Sequence, residues 1–226
     1  MPAPQDGPRG TLVAVRHGET EWSKAGRHTG RTDLPLTAAG EEQATTAGKS
    51  LAGQEFGLVL VSPLGRARRT AELAGFPDYE IVPDLAEWDY GPVEGLTRQQ
   101  VRDELGYAWS VLPDGVRQTL SISGTDDVPD RLRNPSPGKG ELVEEVAARA
   151  ARVIARVEPT LKEGKDVLIV AHGHLLRILA CAWLDLHPEV AERLAMGTAA
   201  RSVFGYDRGV RSLVHWNVPP SVVFPA

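Results

Sequence analysis

The stretch Thr11-Leu12-Val13-Ala14-Val15-Arg16-His17-Gly18-Glu19-Thr20 decides the fold. The run from Thr11 to Val15 has the length of a strand buried on both faces, as in a parallel sheet. It ends abruptly in the polar Arg16-His17-Gly18. The same grammar returns twice. Gly57-Leu58-Val59-Leu60-Val61 runs into Ser62-Pro63-Leu64 and a helix ending near Ala74. Asp166-Val167-Leu168-Ile169-Val170 runs into Ala171-His172-Gly173-His174 and a helix ending near Leu184. Strand, polar turn and helix in alternation predict a three-layer α/β/α sandwich around a mostly parallel central sheet. A short strand is expected at Glu80-Ile81-Val82. Strands over 201–206 and 211–217 flank Asp207-Arg208-Gly209, a hairpin turn that predicts one antiparallel strand.

Between these anchors, residues 1–10 read as a disordered lead-in and 11–226 as a single domain. Residues 21–36 and 84–96 read as loops. Thr37 is placed to cap a helix running to about Leu51, with Gly53 as its stop. A further helix is expected near 97–105. The segment 107–139, with Pro113, Gly115, Gly124, Pro129, Pro135, Pro137 and Gly138, reads as an irregular insertion or lid. From Glu141 a long helix would bury Leu142, Val146, Val153 and Val157 on one face.

Composition narrows the function. In 226 residues, 42% are hydrophobic and 24% charged, which excludes a disordered chain. A formal charge of −5 argues against a sequence-blind nucleic-acid binder. No apolar run reaches the ~18–20 residues of a membrane span. Cys181 is the one cysteine, so no intramolecular disulfide can form. The N-terminus lacks a basic-then-apolar signal pattern, and a cytoplasmic location is expected. A homodimer is compatible with the sequence but not required by it.

In open α/β sheets ligands bind beyond the carboxyl ends of the strands. That rule gathers Arg16, His17, Ser62, Arg66 and His172 around one crevice. Guanidinium forks match phosphate oxygens two at a time, and imidazole supplies a donor or a nucleophile, so the cluster suits a phosphoryl dianion. Gly18 and Gly173 would let backbone approach the anion, and a helix N-terminus after His172 would add its dipole. Arg66 shares its helix with Arg68 and Arg69, and by residue type alone it fits a solvated basic face as well. His172-Gly173-His174 also has the look of a metal-ligand pair, but without an evident supporting carboxylate cluster. The motifs call for no metal and no cofactor.

The segment Leu12–Thr20 resembles the Arg-His-Gly signature of the histidine phosphatase superfamily, in its phosphoglycerate mutase-like branch. The resemblance continues through Trp22, Thr29-Gly30, Asp33, Leu36-Thr37 and Gly40. It resumes at Ser62–Glu72, at Glu87-Trp88-Asp89-Tyr90-Gly91 with Glu94-Gly95-Leu96-Thr97, and at Val170–Gly173. By that resemblance His17 is the nucleophile that becomes phosphohistidine. Arg16, Arg66 and His172 hold the transferring oxygens, and Glu87 is the proton donor, which implies an acidic optimum. Ser23, Thr29, Gly30, Tyr90, Arg98 and Gly173 would contact substrate. Ser23 stands where the mutases often have Asn, and Arg98 where the family has lysine. Gly140-Glu141-Leu142 replaces a family Gly-Glu-Ser.

The resemblance leaves two activities. Mutases of the family carry an adjacent arginine pair in the lid, whereas this chain has only the separated Arg117, Arg131 and Arg133. A long polar tail is also missing after Pro219. The expectation is therefore a phosphomonoester hydrolase acting on a small phosphorylated metabolite, such as a sugar phosphate or bisphosphate. A phosphoglycerate mutase is the first alternative, and a catalytically inactive phosphoester-binding module the second.

Overall fold

The computed structural model describes residues 10–116 and 139–222. Most of the expected lead-in, the span 117–138 of the expected insertion (with Arg117, Arg131 and Arg133) and the last four residues lie outside it. The strands are β1 (Leu12–Arg16), β2 (Phe56–Val61), β3 (Glu80–Ile81), β4 (Asp166–Ala171), β5 (Arg201–Asp207) and β6 (Val210–Val218). They form one sheet in the order β3-β2-β4-β1-β5-β6. β1, β2, β3 and β4 pair in parallel, and β5 runs antiparallel to both β1 and β6. The expected architecture and its antiparallel hairpin are therefore present.

Alternation along β1 builds the two cores. Leu12 and Ala14 face one side with Leu60, Val167 and Ile169; Val13 and Val15 face the other with Val61, Leu168 and Val170. The first side is covered by α6 (Val143–Lys162) and α7 (Gly173–Trp183), the second by α2 (Ala38–Ser50) and α3 (Gly65–Leu73). Burying each such aliphatic side chain is worth about 1.5–3 kcal/mol, which explains why these runs carry no polar residue. Three shorter helices, α1 (Glu21–Lys24), α4 (Arg98–Leu105) and α5 (Val111–Asp114), lie in the connections.

Local signals set the boundaries. The Thr37 hydroxyl accepts from the Gly40 N–H and opens α2. Thr97 caps α4, and Gly106 ends it at φ +74. Three expectations need correction. Gly10 is buried and its N–H donates to the Leu161 carbonyl at 2.9 Å, so it belongs to the fold rather than to a lead-in. The 21–36 loop contains α1, because Thr20 and Ser23 cap it reciprocally. Leu142 is the N-cap of α6, so the buried face starts at Val143.

Register then delivers the site. Arg16 of β1 stands level with Ala171 of β4, and Val61 of β2 with Val170. The next residues, His17, His172 and Ser62, therefore emerge together at one edge of three adjacent parallel strands.

Candidate active site

The His17 and His172 rings lie with centroids 5.1 Å apart. Nδ1 of His17 is 2.7 Å from the Gly18 carbonyl, which can only accept, so this nitrogen carries the ring proton and Nε2 keeps its lone pair. Burial, with the charges of Arg66 and Arg16, holds this imidazole well below the usual 6.5, and it is neutral at ordinary pH. His172 is also kept neutral, chiefly by burial. Its Nε2 lies 2.6 Å from the Ser62 hydroxyl, which also accepts from the Leu64 N–H; with that hydroxyl as the donor to Nε2, the ring proton sits on Nδ1, which is buried without a partner among the described residues. One histidine is thus held as a lone-pair donor, the other as an N–H donor.

Arg16 and Arg66 are buried guanidiniums that burial depresses and Glu87 partly restores. Arg16 donates through Nη1 to the Met196 carbonyl at 2.6 Å. Arg66 donates to the carbonyls of Thr29, Gly30 and Thr32 at 2.9–3.0 Å. In both, the buried Nε–H has no partner among the described residues. The Glu87 carboxylate accepts from the backbone N–H groups of Trp88, His174 and Leu175. It therefore sits on the N-terminus of α7, where the helix dipole favours an acidic group. Arg149 grips the Asp84 and Ala86 carbonyls from α6 and holds Glu141 through two nitrogens, so the loop that carries Glu87 is clamped.

A cavity of about 210 Å³ opens beside His17. Arg16, Glu87, Ser23, Thr29, Tyr90, Arg98 and Gly173 line it. Arg66, His172 and Gly30 are not among its lining residues. Gly30 spends its N–H on the Glu94 carboxylate and its carbonyl on Arg66, so it shapes the wall rather than offering a contact. Gly18 is likewise no anion cradle. Its N–H donates to the Thr70 hydroxyl, and a Cβ there would lie 2.3 Å from the Gly40 carbonyl oxygen. This glycine is needed for close packing of β1's turn on α2. The Ser23 hydroxyl is committed to capping α1.

Sequence reasoning missed Arg27, His28, Arg177, His174 and Met196, which also line the cavity. For two of them a signal existed. His174 and Arg177 are polar at i and i+3 in a helix otherwise built of Leu175, Leu176, Ile178 and Leu179. The two histidines of His172-Gly173-His174 face different partners, Ser62 and Tyr90. Among the described residues no group of three or more His, Cys, Asp or Glu side chains could hold a metal.

His28 gives the site a measurable pH signature. Burial pushes its imidazole down to about 4, against 6.5 for the free group. The unfolded chain takes up the proton first, so the contribution to stability is complete above pH 6.5 and is lost as pH falls towards 4. The loss amounts to about 2 kcal/mol at pH 5. His28→Asn, which keeps a donor for the Leu96 carbonyl but cannot titrate, should flatten that part of the pH dependence of urea unfolding. An unchanged slope would show that His28 is not the group responsible.

A doubly covered, mostly parallel sheet with neutral imidazoles and buried guanidiniums at its carboxyl edge defines an enzyme built for an anionic phosphoryl group. The chain belongs to the histidine phosphatase superfamily (branch 1), whose profile matches residues 12–219. It is 38% identical over 204 residues to an acid phosphatase of Mycobacterium tuberculosis, covering 89% of each chain. It is 33% identical to a sedoheptulose 1,7-bisphosphatase of Saccharomyces cerevisiae, covering 77% of this chain and 67% of that one. 2,3-Bisphosphoglycerate-dependent phosphoglycerate mutases follow, such as that of Bartonella bacilliformis at 32% identity over 90% of this chain and 97% of that one. A solved open-reading-frame product of Mycobacterium tuberculosis superposes with a TM-score of 0.80 at 36% identity, covering 93% and 98% of the two chains. Among the described residues no helix is long and apolar enough to cross a membrane.

Proposed function

We propose that this protein hydrolyses a small phosphorylated metabolite through a phosphohistidine on His17. The observation that carries this reading is the 2.7 Å contact from His17 Nδ1 to the Gly18 carbonyl, which leaves Nε2 as a lone pair beside a cation-lined cavity. Nε2 attacks phosphorus and the bond to the alcohol oxygen breaks. Glu87, on the same cavity wall, gives the departing oxygen its proton. Water then attacks phosphorus, returns a proton to Glu87 and releases phosphate from the imidazole. Arg16, Arg66 and His172 stabilise the equatorial oxygens with the N–H groups that have no other partner among the described residues. Arg98 and Tyr90 line the same cavity, where the alcohol portion binds.

Hydrolysis, rather than transfer between two carbons of one substrate, is supported by the acid phosphatase and sedoheptulose bisphosphatase relatives. The separated arginines of the 107–139 segment, which favoured the same reading, lie outside the described residues. A single buried cysteine, Cys181, fits a cytoplasmic setting.

Glu87→Gln tests the assignment. It should remove most activity on alkyl phosphates and much less on p-nitrophenyl phosphate, whose leaving group scarcely needs a proton. Equal losses on both substrates would reject the acid role. Rapid interconversion of 2- and 3-phosphoglycerate would replace hydrolysis by mutase activity.

A further inference from the structure

Near its end β6 does not pair with β5 residue for residue. His215 stands opposite Val203 and Val218 opposite Arg201, so Trp216 and Asn217 together face the single residue Ser202. Such a bulge bends the strand and re-aims its side chains. Asn217 adopts φ +54 there, in the left-handed region that asparagine tolerates. In a regular strand the two side chains would point to opposite faces. Here both reach residues 195–197, ahead of β5. The Trp216 indole N–H donates to the Ala195 carbonyl, and the Asn217 side-chain oxygen accepts from the Gly197 N–H, each at 2.7 Å. The Met196 carbonyl between them accepts from Arg16 Nη1 at 2.6 Å. We propose that the bulge at Trp216 and Asn217 positions Arg16 for catalysis, by fixing the Met196 carbonyl that orients its guanidinium.

The two arginines of the site are oriented by different means. Arg66 donates to three carbonyls. The Arg16 side chain has one acceptor among the described residues, the Met196 carbonyl, and its buried Nε–H is the donor left for the phosphoryl group. The guanidinium is a rigid plane, so a shift at Nη1 swings Nε–H with it. The far end of the 195–200 segment is tied to the site through backbone: the Ala199 N–H donates to the His17 carbonyl, and the Ala200 carbonyl accepts from the Arg16 N–H. Residues 195–197 belong to no helix or strand, so the two β6 side chains supply the restraint that regular structure gives elsewhere. Neither Trp216 nor Asn217 lines the cavity, so both are positioning residues. The inference rests on the phosphatase reading, in which Arg16 contacts the phosphoryl oxygens. A misplacement on the order of 1 Å at such a contact costs up to ~10²-fold in rate.

Asn217→Gly keeps the backbone angle and loses the acceptor, whereas Asn217→Asp keeps both. kcat and KM on p-nitrophenyl phosphate would be measured below the unfolding transition, in the wild-type and Arg16→Ala backgrounds. Asn217→Gly should lower kcat ~10–100-fold in the first, with a much smaller change in KM, and leave it nearly unchanged in the second. Asn217→Asp should retain most of the activity. Trp216→Phe keeps an aromatic ring beside Phe204 but loses the N–H. It should cost several-fold in kcat with the same dependence on Arg16, and it decides the matter if Asn217→Gly does not fold. Equal costs in the two backgrounds, or a lowered unfolding midpoint with kcat intact, would overturn the inference. An Arg16→Ala variant as active as wild type, or wild-type protein that hydrolyses no phosphomonoester, would instead reject the phosphatase reading of the site. Nitrogen-15 NMR of the Arg16 Nε–H then decides the inference. A resonance that moves in Asn217→Gly and stays in place in Asn217→Asp supports it; one unmoved in Asn217→Gly overturns it.

Discussion

Replacing His17 by alanine should lower turnover by a factor on the order of 10⁶, the scale seen when a covalent nucleophile is removed. Neither His172 nor His174 is set up to take its place. His172 presents an N–H rather than a lone pair, because Ser62 occupies its Nε2. His174 has its Nδ1 held by Tyr90. Labelled phosphate from substrate should appear on wild-type protein after rapid quench, stable to base and labile to acid, and should be absent from His17→Ala. The variant should remain folded, since among the described residues His17 makes one side-chain hydrogen bond, from Nδ1 to the Gly18 carbonyl, and alanine keeps its backbone bonds to Ala171 and Ala199. A wild-type enzyme that turns over rapidly yet never labels would remove the covalent mechanism.

Arg66→Ala carries the second large effect, on two measurements at once. The guanidinium is fully buried and donates to three carbonyls between Thr29 and Thr32, with Asp33 3.7 Å away. Truncation leaves those carbonyls without their donor, and a loss of about 3 kcal/mol in unfolding free energy is expected. Below the unfolding transition, kcat should still fall by ~10²–10³, because one preorganised charge on the phosphoryl oxygens is gone. Arg66→Lys should recover little of either, since one ammonium cannot reach three carbonyls and also offer the Nε–H. Loss of stability with kcat intact would mean that Arg66 only ties down the 29–32 loop.

The same residue shows how far the sequence was legible. Its helix could be placed from Ser62-Pro63-Leu64, and the strand-end rule put it at the crevice. Its three carbonyl partners could not be read, because they lie in a loop whose course depends on packing against residues 87–96. Gly18 and Gly30 were readable as glycines near an anion. Their actual constraints, Gly40 for the first and Glu94 with Trp88 for the second, come from segments remote in sequence. Tyr90 was placed at the substrate end, whereas the bond from its hydroxyl to His174 joins residues 84 positions apart.

The amino-acid sequence by itself determined the parallel strands, the helices between them and the polar residues at the strand ends. These follow from local apolar runs, caps and turns, which depend on near neighbours. It also placed His17, His172, Arg16 and Arg66 together, because the register of parallel strands brings their carboxyl ends to one edge whatever the loops do. Tertiary structure alone decided which nitrogen of each histidine is free, which N–H groups are already committed, and that Arg177 and His174 share the cavity. Those outcomes depend on the partner standing within about 3 Å of each polar atom. Such partners come from distant segments, and no local pattern records the distance.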